Sequence, residues 1–301
     1  NVRFRDWDNM QYWFRAVEKF APWVNKIHFV TYGHLPKWLN IDNPKLNIVK
    51  HSDFIPKEYL PTFSSQPIEL NLHRINGLAE RFVYFNDDMF LLRPVKRELF
   101  FAGKDCLPTD FAITSTISTT TKEDMMPFIK LNCVTILNGH FDKKEQMKKH
   151  FSKWVNLAYG WNALRNLIFY GQHRFKGFAN NHLAFSFLKS EYEDIWEKEY
   201  ESLDDTSSHK FRSKLDLDNW LIRYWQLTRG NFYPIGRHVK GKVYEIYNGV
   251  EQNQELFKII ENQAMPMICI NDNDNVDFEP MKERIKQAFD RILPEKSSFE
   301  K

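Results

Sequence analysis

Two adjacent carboxylates after an apolar strand are the clearest candidates for chemistry in this chain. Asn86-Asp87-Asp88 follows Arg81–Phe85, whose composition predicts a β-strand. Neighbouring carboxylates repel each other, so beside a diphosphate they need a divalent cation, and their oxygens favour Mg²⁺ or Mn²⁺. An Asx-type turn that merely closes the strand is the alternative, and the local pattern leaves both open. Ligands bind beyond the carboxyl ends of strands in open α/β sheets, which favours a functional site.

A second polar group lies on a helix predicted over Pro67–Ile75. Glu69 and His73 are four residues apart, so they would share one helix face, with Arg74 beside them. Such a face can orient a hydroxyl or a phosphate. An ordinary intrahelical polar pair is the more common explanation.

Two further candidates lie more than 90 residues downstream. His182 is at the predicted start of a helix over His182–Glu199, where the helix N-terminus would lower its pKa and keep it a neutral base. Arg212 lies in a basic stretch with two serines, which suits a phosphate. The alternatives are a simple helix cap for His182 and a solvated loop for Arg212.

A third polar loop follows the predicted strand Met267–Ile270. Asn271 and Asp272 open a run of alternating Asn and Asp that superficially resembles a calcium loop. Counted from Asp272, the sixth position is Asp277, where an EF-hand requires glycine. We therefore reject an EF-hand and expect a loop near the active site.

The segment Lys143–Lys176 is basic and amphipathic. It holds eight Lys or Arg residues and one Glu, and its apolar stripe is predicted to be Met147, Phe151, Trp154 and Val155. Such a segment can lie on an anionic membrane or guide an anionic acceptor, although a solvated helical face is more common. Binding to single-stranded nucleic acid is a remote alternative, and a net charge of +3 does not favour nucleic acid.

Elements that would position these residues alternate between helix and strand over about the first 90 residues. This pattern predicts an α/β fold with a largely parallel sheet, followed by a mostly helical insertion. We expect one catalytic domain over 1–301, with an α/β part at 1–140, the insertion at 141–232 and a return to the core at 233–301. The predicted elements include the strands Lys26–Thr31, Leu46–Val49 and Arg81–Phe85 and the helices Asp6–Phe20 and Pro280–Leu293.

Composition narrows the protein class. The 301 residues are 43% hydrophobic and 27% charged, which is typical of a globular protein, and 16% aromatic residues leave some rings for stacking on sugars. Three scattered cysteines do not make a disulfide framework, so a reducing compartment such as the cytoplasm is expected. The chain opens on Asn1 without a signal peptide or Met, which suggests a fragment.

Three stretches of the chain together resemble the second conserved region of the Stealth family of sugar-1-phosphate transferases. They are RFRDWDNMQYWFRAVEKFAPWVNKIHFVTYGHLPKWL (Arg3–Leu39), IVKHSDF (Ile48–Phe54) and LPTFSSQPIELNLHRINGLAERFVYFNDDMF (Leu60–Phe90). Phe178–Tyr233 resembles the third region more loosely, and ICINDN (Ile268–Asn273) resembles the fourth. Bacterial capsule polymerases belong to this family, and so does the animal GlcNAc-1-phosphotransferase that acts on lysosomal enzymes.

The resemblance implies a GT-A or Rossmann-like fold and transfer of a sugar-1-phosphate from a UDP-sugar to a hydroxyl of an oligosaccharide or glycolipid, with release of UMP. The few cysteines and the basic segment Lys143–Lys176 predict, beside this resemblance, a cytoplasmic enzyme that is peripheral on the inner face of the bacterial membrane. The residues that match catalytic positions are Asp88, Glu69, His182 and Arg212. Those assigned to substrate are Arg3, Asn86, Asp87, His73, Arg74, Asn271 and Asp272. Asp88 and Asp87 would hold Mg²⁺ or Mn²⁺.

Two departures from the family pattern leave alternatives open. The family's first region, a strand that helps build the nucleotide site, is expected upstream of Asn1, and Asn180-Asn181-His182 replaces the His-x-Pro-His form of some members. The alternatives are a conventional glycosyltransferase that releases UDP, and a non-catalytic carbohydrate-binding fragment.

Overall fold

The fold is mixed α/β, as the sequence predicts. A computed structural model describes residues 5–119, 121, 123–273 and 275–301, and the predicted substrate residue Arg3 lies outside them. The strands are β1 Ile27–Thr31, β2 Leu46–Lys50, β3 Arg81–Tyr84, β4 Met89–Leu91, β5 Phe101–Ala102, β6 Leu107–Asp110, β7 Phe185–Leu188, β8 Tyr233–Pro234, β9 Gly241–Glu245 and β10 Met267–Asn271. The α-helices are α1 Met10–Phe20, α2 His51–Phe54, α3 Ser65–Leu70, α4 Met126–His140, α5 Lys143–Lys149, α6 Phe151–Trp154, α7 Asn162–Ile168, α8 Lys189–Lys198, α9 Tyr200–Ser208, α10 Asn219–Thr228, α11 Gln254–Glu261 and α12 Phe278–Ile292.

The strands form small mixed sheets, and a large parallel sheet is not observed among the described residues. β1 pairs with β2 in parallel, and β3 pairs with β7 antiparallel. β10 lies between β4, antiparallel, and β9, parallel, while β6 lies between β5, antiparallel, and β8, parallel. The local helix–strand alternation indicated parallel crossovers. It could not indicate that distant segments such as β7 would add antiparallel strands.

Two hydrophobic cores meet at β3. The first core consists of side chains of α1, α11 and α12 packed around β4 and β10, and the second is built from α4, α8, α10 and β7. Along β3, Phe82 and Tyr84 pack against the second core, whereas Val83 and the following Phe85 pack against the first. Successive side chains of a strand point to opposite faces, so β3 packs one face on each core. The Asn86-Asp87-Asp88 turn that follows β3 therefore lies at the boundary between the cores.

A buried ion pair fastens β6 to α10. The Arg223 guanidinium donates to both carboxylate oxygens of Asp110, from Nε at 2.7 Å and from its second terminal nitrogen at 2.8 Å. The Lys240 ammonium lies in the same region and donates to the Thr109 carbonyl oxygen at 2.9 Å and to Ser186 Oγ at 3.3 Å. Burial lowers the pKa of Lys240 to about 8. Buried charges persist only when they are paired in this way.

Candidate active site

Asp88, His182 and Cys269 form a compact cluster at the end of β3. The turn that carries Asp88 leads directly into β4, and the Asp88 carbonyl accepts a 2.8 Å hydrogen bond from the Ile270 amide of β10. This pairing brings the Cys269 thiol, also on β10, within 3.2 Å of Asp88 Oδ2, to which it donates. His182 Nε2 lies 3.4 Å from the same oxygen.

The loop that presents His182 is held by its preceding asparagines. Asn180 accepts a 2.8 Å hydrogen bond from Arg223 and donates at 2.8 Å to the Tyr224 hydroxyl, while Asn181 donates to the Arg237 carbonyl at 3.3 Å. Arg223 therefore links the buried ion pair to the loop that carries the histidine. The imidazole itself remains partly exposed and able to meet a substrate.

The predicted helix over His182–Glu199 is wrong. His182 lies in a loop, Phe185–Leu188 forms β7, and only Lys189–Lys198 is helical as α8. A short continuous apolar run fits a buried strand as well as a helix, and periodicity cannot separate the two. The argument that a helix N-terminus keeps His182 neutral therefore has no structural basis.

One carboxylate oxygen of Asp88 is buried without a partner. Oδ2 contacts His182 and Cys269, but Oδ1 makes no hydrogen bond within the described part of the chain. Buried polar atoms are almost always paired, so an unpaired one in a half-open cluster is available to a group that a ligand brings.

The Asp87 carboxylate and the free Asp88 oxygen fit a hard divalent cation. The pKa of Asp87 is raised, first because the surrounding protein limits its hydration and second because Asp88 is close. A cation between the two would relieve this repulsion, and carboxylate oxygens are the donors that Mg²⁺ and Mn²⁺ prefer. The ligand atoms of Asp88, His182 and Cys269 also lie within 4.8 Å of one another, but nitrogen and sulfur donors do not suit Mg²⁺.

A large cavity opens beside the turn that carries Asp88, and Asn86 and Asp87 of that turn line it. Its volume is about 1290 Å³, and its lining includes residues of α1, β1, α3 and β3. The polar residues Glu69, Asn86 and Asp87 line it together with aromatic side chains such as Trp13. Asn86 and Asp87 of the predicted turn and Glu69 of the predicted helix therefore line the same cavity.

Glu69 is buried beside the cavity with a perturbed carboxyl group. The Tyr84 hydroxyl donates to Glu69 Oε1 at 3.2 Å, and Tyr84 is two residues before Asn86. Burial first, and then the nearby Asp218 charge, raise the pKa of Glu69 to about 7, while hydrogen bonds from Tyr84 and Ser65 and the charge of Arg212 lower it. A carboxyl group that titrates near neutral pH is suited to proton exchange, although structural carboxyls are shifted in the same way.

Arg212 is fastened to the start of α3. Its Nε donates to Gln66 Oε1 at 3.3 Å, and a terminal nitrogen donates to Ser65 Oγ at 3.2 Å. Glu69 is a residue of α3, and Arg212 is hydrogen-bonded to the first turn of the same helix. The structure thus forms two groups, Asp88 with His182 and Glu69 with Arg212, and β3 with its turn connects them.

Glu69 and His73 do not lie on one helix, so the prediction that they share a helix face is wrong. α3 ends at Leu70, and a 3₁₀ turn over Leu72–Arg74 redirects the next side chains. His73 stacks near Tyr192 and Trp196, both at 5.8 Å between ring centroids. Burial, followed by the charge of Arg74, lowers the pKa of His73 to about 4. The Arg74 guanidinium lies over the Trp196 ring at 4.7 Å.

The loop after β10 contributes only in part to the cluster. Asn271 Oδ1 lies 3.7 Å from the Cys269 sulfur, at the border of the cluster. Asp272 instead accepts from the Trp7 indole at 3.2 Å and pairs with Arg5 at 3.5 Å, so its carboxylate holds the segment before α1.

Sequence reasoning missed Cys269, Tyr84 and Asp218. In the sequence, Cys269 is one of three scattered cysteines. Its position two residues before Asn271 on a predicted strand was the available signal, because alternate residues of a strand share a face. Asp218 caps α10 through the Trp220 amide at 3.0 Å, and burial raises its pKa to about 6. A capping aspartate before the apolar run of α10 was a readable signal.

Comparison with known proteins decides the family. Residues 3–107 match the family model described as Stealth protein CR2, conserved region 2. Over 301 residues the chain is 44% identical to the Capsular polysaccharide phosphotransferase WcwK of Streptococcus pneumoniae, covering 99% of this chain and 87% of that protein. The chain belongs to the Stealth family.

Other Stealth relatives carry similar names. The Receptor polysaccharide phosphotransferase WefC of Streptococcus gordonii is 41% identical over 99% of this chain and 87% of its own length. The Exopolysaccharide phosphotransferase cps2G of Lactiplantibacillus plantarum is 38% identical over 100% of this chain and 87% of its own length. This Stealth chain is accordingly an enzyme, a phosphotransferase, and the resemblance read from its motifs is confirmed.

Proposed function

We propose that this enzyme transfers a sugar-1-phosphate from a UDP-sugar to a hydroxyl of a glycan acceptor and releases UMP. The observation that carries the proposal is the unpartnered, buried Oδ1 of Asp88 beside His182, next to a cavity of about 1290 Å³. The names of the relatives support a role in building capsular or extracellular polysaccharide.

In the proposed reaction the acceptor oxygen attacks the β-phosphorus of the donor. The new bond joins that oxygen to phosphorus, and the bond between the β-phosphorus and the oxygen that bridges it to UMP breaks. UMP leaves with that bridging oxygen. The sugar's own C1–O bond is not touched, so the anomeric configuration is retained in the diester.

His182 is the group we assign to accept the hydroxyl proton, at Nδ1, because Nε2 faces the Asp88 carboxylate and carries its hydrogen toward it. Asp88 Oδ2, 3.4 Å from Nε2, stabilises the resulting imidazolium, and Asp88 competes with His182 for the role of base. Arg212 stabilises charge on the transferred phosphoryl oxygens, and Glu69 orients the acceptor. Because phosphoryl transfer depends on position and charge more than on covalent catalysis, these fixed groups account for most of the rate.

The cavity is the proposed donor site. Pockets for small ligands are usually about 300–1,000 Å³ and lined by apolar and aromatic side chains with a few polar groups, so this cavity can take a nucleotide-sugar. Asp87 and Asp88 would hold Mg²⁺ or Mn²⁺, which when bound neutralises the donor diphosphate. Asn86, at the start of the same turn, is placed to contact that diphosphate.

The acceptor is proposed to be an oligosaccharide or a glycolipid, and the enzyme is proposed to work in the cytoplasm. The free cysteines Cys106, Cys133 and Cys269 match a reducing compartment. Across the described ranges, no helix has the length and apolar content needed to cross a bilayer.

Product analysis tests the proposal. The protein is incubated with Mg²⁺, a panel of UDP-sugars and oligosaccharide acceptors, and the nucleotide is identified by chromatography while phosphorus NMR follows the glycan. We expect UMP and a phosphodiester signal. Release of UDP with no phosphodiester would instead identify a conventional glycosyltransferase, and donor binding without turnover would identify a non-catalytic binding protein.

A further inference from the structure

The apolar stripe predicted for the basic segment is mostly core. Met147 and Trp154 are fully buried, and Val155 is half-buried, so only Phe151 of the predicted stripe is exposed. The segment nevertheless presents apolar side chains to solvent, and they are different ones. These are Leu157, Trp161, Leu164, Leu167 and Ile168, which we call the α7 patch, and their exposures are 95%, 86%, 48%, 43% and 76%.

Helix α7 has its polar and apolar faces reversed. Its one buried residue is Asn166, whose side-chain amide donates to the carbonyl oxygens of Ala112 at 2.6 Å and Trp154 at 2.5 Å. The Asn166 side-chain oxygen accepts from the Thr114 amide at 2.8 Å. This asparagine fixes the helix against the protein, so its leucines and isoleucine necessarily face outward.

The α7 patch is therefore a built surface and not a frayed end. The chain enters it through the 3₁₀ turn Leu157–Tyr159, capped by Asn156, and the buried Tyr159 hydroxyl donates to the Lys153 carbonyl at 2.6 Å. Large exposed apolar patches on a soluble protein mark interaction sites. An exposed tryptophan among leucines and isoleucine is typical of the boundary between lipid headgroups and acyl chains.

Basic side chains surround the patch along the sequence. Of the eight Lys and Arg residues in the segment, Lys143 and Lys153 are committed to the carbonyls of Phe169 and Gly230. The other six are exposed, namely Lys144, Lys148, Lys149, Arg165, Arg174 and Lys176. Within the same segment Glu145 is the sole acid. Positive charge around an apolar surface complements an anionic bilayer.

The patch is structurally connected to the loop of the catalytic histidine. Ala163 of α7 and Ala179 pack against one small core of Phe111, Ile113 and Tyr159. Ala179 is three residues before His182. Helix α7 and the loop that presents His182 are thus joined through one small core.

We propose that the α7 patch docks on an anionic lipid bilayer. Leu157, Trp161 and Ile168 insert among the headgroups and upper acyl chains, while the six exposed basic residues contact lipid phosphates. The docked enzyme would then meet a lipid-linked acceptor at the membrane, whereas the nucleotide donor comes from solution.

Vesicle co-sedimentation tests the docking. Vesicles of mixed phosphatidylglycerol and phosphatidylcholine are compared with pure phosphatidylcholine, for the unaltered chain and for the triple variant Leu157→Ser, Trp161→Ser and Ile168→Ser. Because each large apolar side chain contributes strongly when it is removed from water, we expect the triple variant to bind at least about tenfold more weakly. The unaltered chain should bind anionic vesicles more tightly than pure phosphatidylcholine vesicles. The double variant Arg165→Glu and Arg174→Glu should bind anionic vesicles more weakly than the unaltered chain.

A second triple variant is the matched control. Ile41→Ser, Tyr200→Ser and Leu215→Ser remove three exposed apolar side chains from other parts of the surface. This control should sediment with vesicles like the unaltered chain. Circular dichroism melting of both triple variants checks that their folds persist.

Three outcomes would overturn the proposal. One is equal vesicle binding by the unaltered chain and the α7 variant. Another is equal binding of the unaltered chain to vesicles with and without phosphatidylglycerol. The third is a dimer, seen by sedimentation velocity, that the α7 variant abolishes while vesicle binding stays absent, since that result would assign the patch to a second copy of the chain.

Discussion

Asp88 lies just before β4 and Asp110 ends β6, and the two carboxylates differ in their bonding. Asp110 is matched oxygen for oxygen by the Arg223 guanidinium, and the pair is buried. Asp88 shares one oxygen between His182 and Cys269 and leaves the other buried without a partner. A satisfied buried charge holds elements together, whereas an unsatisfied one in a half-open site is available for chemistry.

The difference predicts opposite responses to mutation. Changes in the Asp88 cluster should lower the rate of catalysis and leave the fold intact. Changes in the Asp110 cluster should destabilise the fold. Arg223 also supports Asn180, so its loss should reach the His182 loop as a secondary effect.

The largest expected effect is on catalysis. His182→Ala should lower kcat by about 10²–10⁴, because it removes the proton acceptor whose charged form Asp88 stabilises. The thermal midpoint should stay close to that of the unaltered enzyme, since the imidazole is partly exposed. His173→Ala is the matched control, because His173 also pairs with an aspartate, Asp142, but on the surface. A His182→Ala enzyme with near-normal turnover would refute the assignment of the base.

The next effect is on stability. Arg223→Met should lower the free energy of unfolding by about 3–5 kcal/mol, because Asp110 is left buried and uncompensated. Urea unfolding followed by circular dichroism measures this change. Arg97→Met, which breaks the exposed pair of Arg97 with Glu98, should have little effect. If both variants unfold alike, Asp110–Arg223 is not the structural pair described here.

Glu69 should make stability depend on pH. Its pKa is about 7 in the folded chain against an ordinary 4.5, so the folded state holds this proton more tightly than the unfolded state. The resulting stabilisation is fully present below pH 4.5 and is lost as the pH rises through about 7. Glu69→Gln removes this dependence, which is on the order of 3 kcal/mol across the window.

Urea unfolding at several pH values measures the Glu69 effect. The unfolding free energy of the unaltered chain should fall more steeply with rising pH than that of Glu69→Gln. Glu197→Gln, an exposed change on α8, should behave like the unaltered chain. Parallel curves for the unaltered chain and Glu69→Gln would show that the pKa of Glu69 is the same in the folded and unfolded states.

The smallest effect is expected at Cys269. Cys269→Ala removes the thiol that donates to Asp88 Oδ2, a single hydrogen bond, so kcat should fall by about fivefold. Cys269→Ser keeps a donor and should lose less. Equal loss in the Ala and Ser variants at position 269 would show that packing, and not the hydrogen bond, is what matters there.

The resemblance assigned Asp88 and His182 to one catalytic site without predicting a contact, and in the structure His182 Nε2 lies 3.4 Å from Asp88 Oδ2. The sequence did not predict Cys269, because the contact joins residues 181 positions apart through the β4–β10 pairing, which no local pattern encodes. The same holds for Asp110 and Arg223, 113 positions apart. The apolar run around Phe185–Leu188 was assigned to a helix because local periodicity cannot show the β3 edge to which it pairs.

Local patterns were most reliable where one face of an element meets the core. The helices α1 and α12 and the strands β1 and β3 lie within a few residues of their predicted bounds. Prediction failed at the surface segment 143–176, where the apolar residues Met147 and Trp154 are core and the exposed ones lie on α7. A polar anchor such as Asn166, buried by three hydrogen bonds, reverses the usual relation between hydrophobicity and burial.

The central claim is that the acceptor hydroxyl attacks phosphorus and that the C1–O bond of the sugar stays intact. The most direct measurement uses a UDP-sugar whose oxygen between C1 and the β-phosphorus carries a heavy isotope, with mass spectrometry of both products. We predict that the label stays in the glycan phosphodiester and that the UMP is unlabelled. Recovery of the label in released UDP would contradict the account, because the C1–O bond would then have been broken.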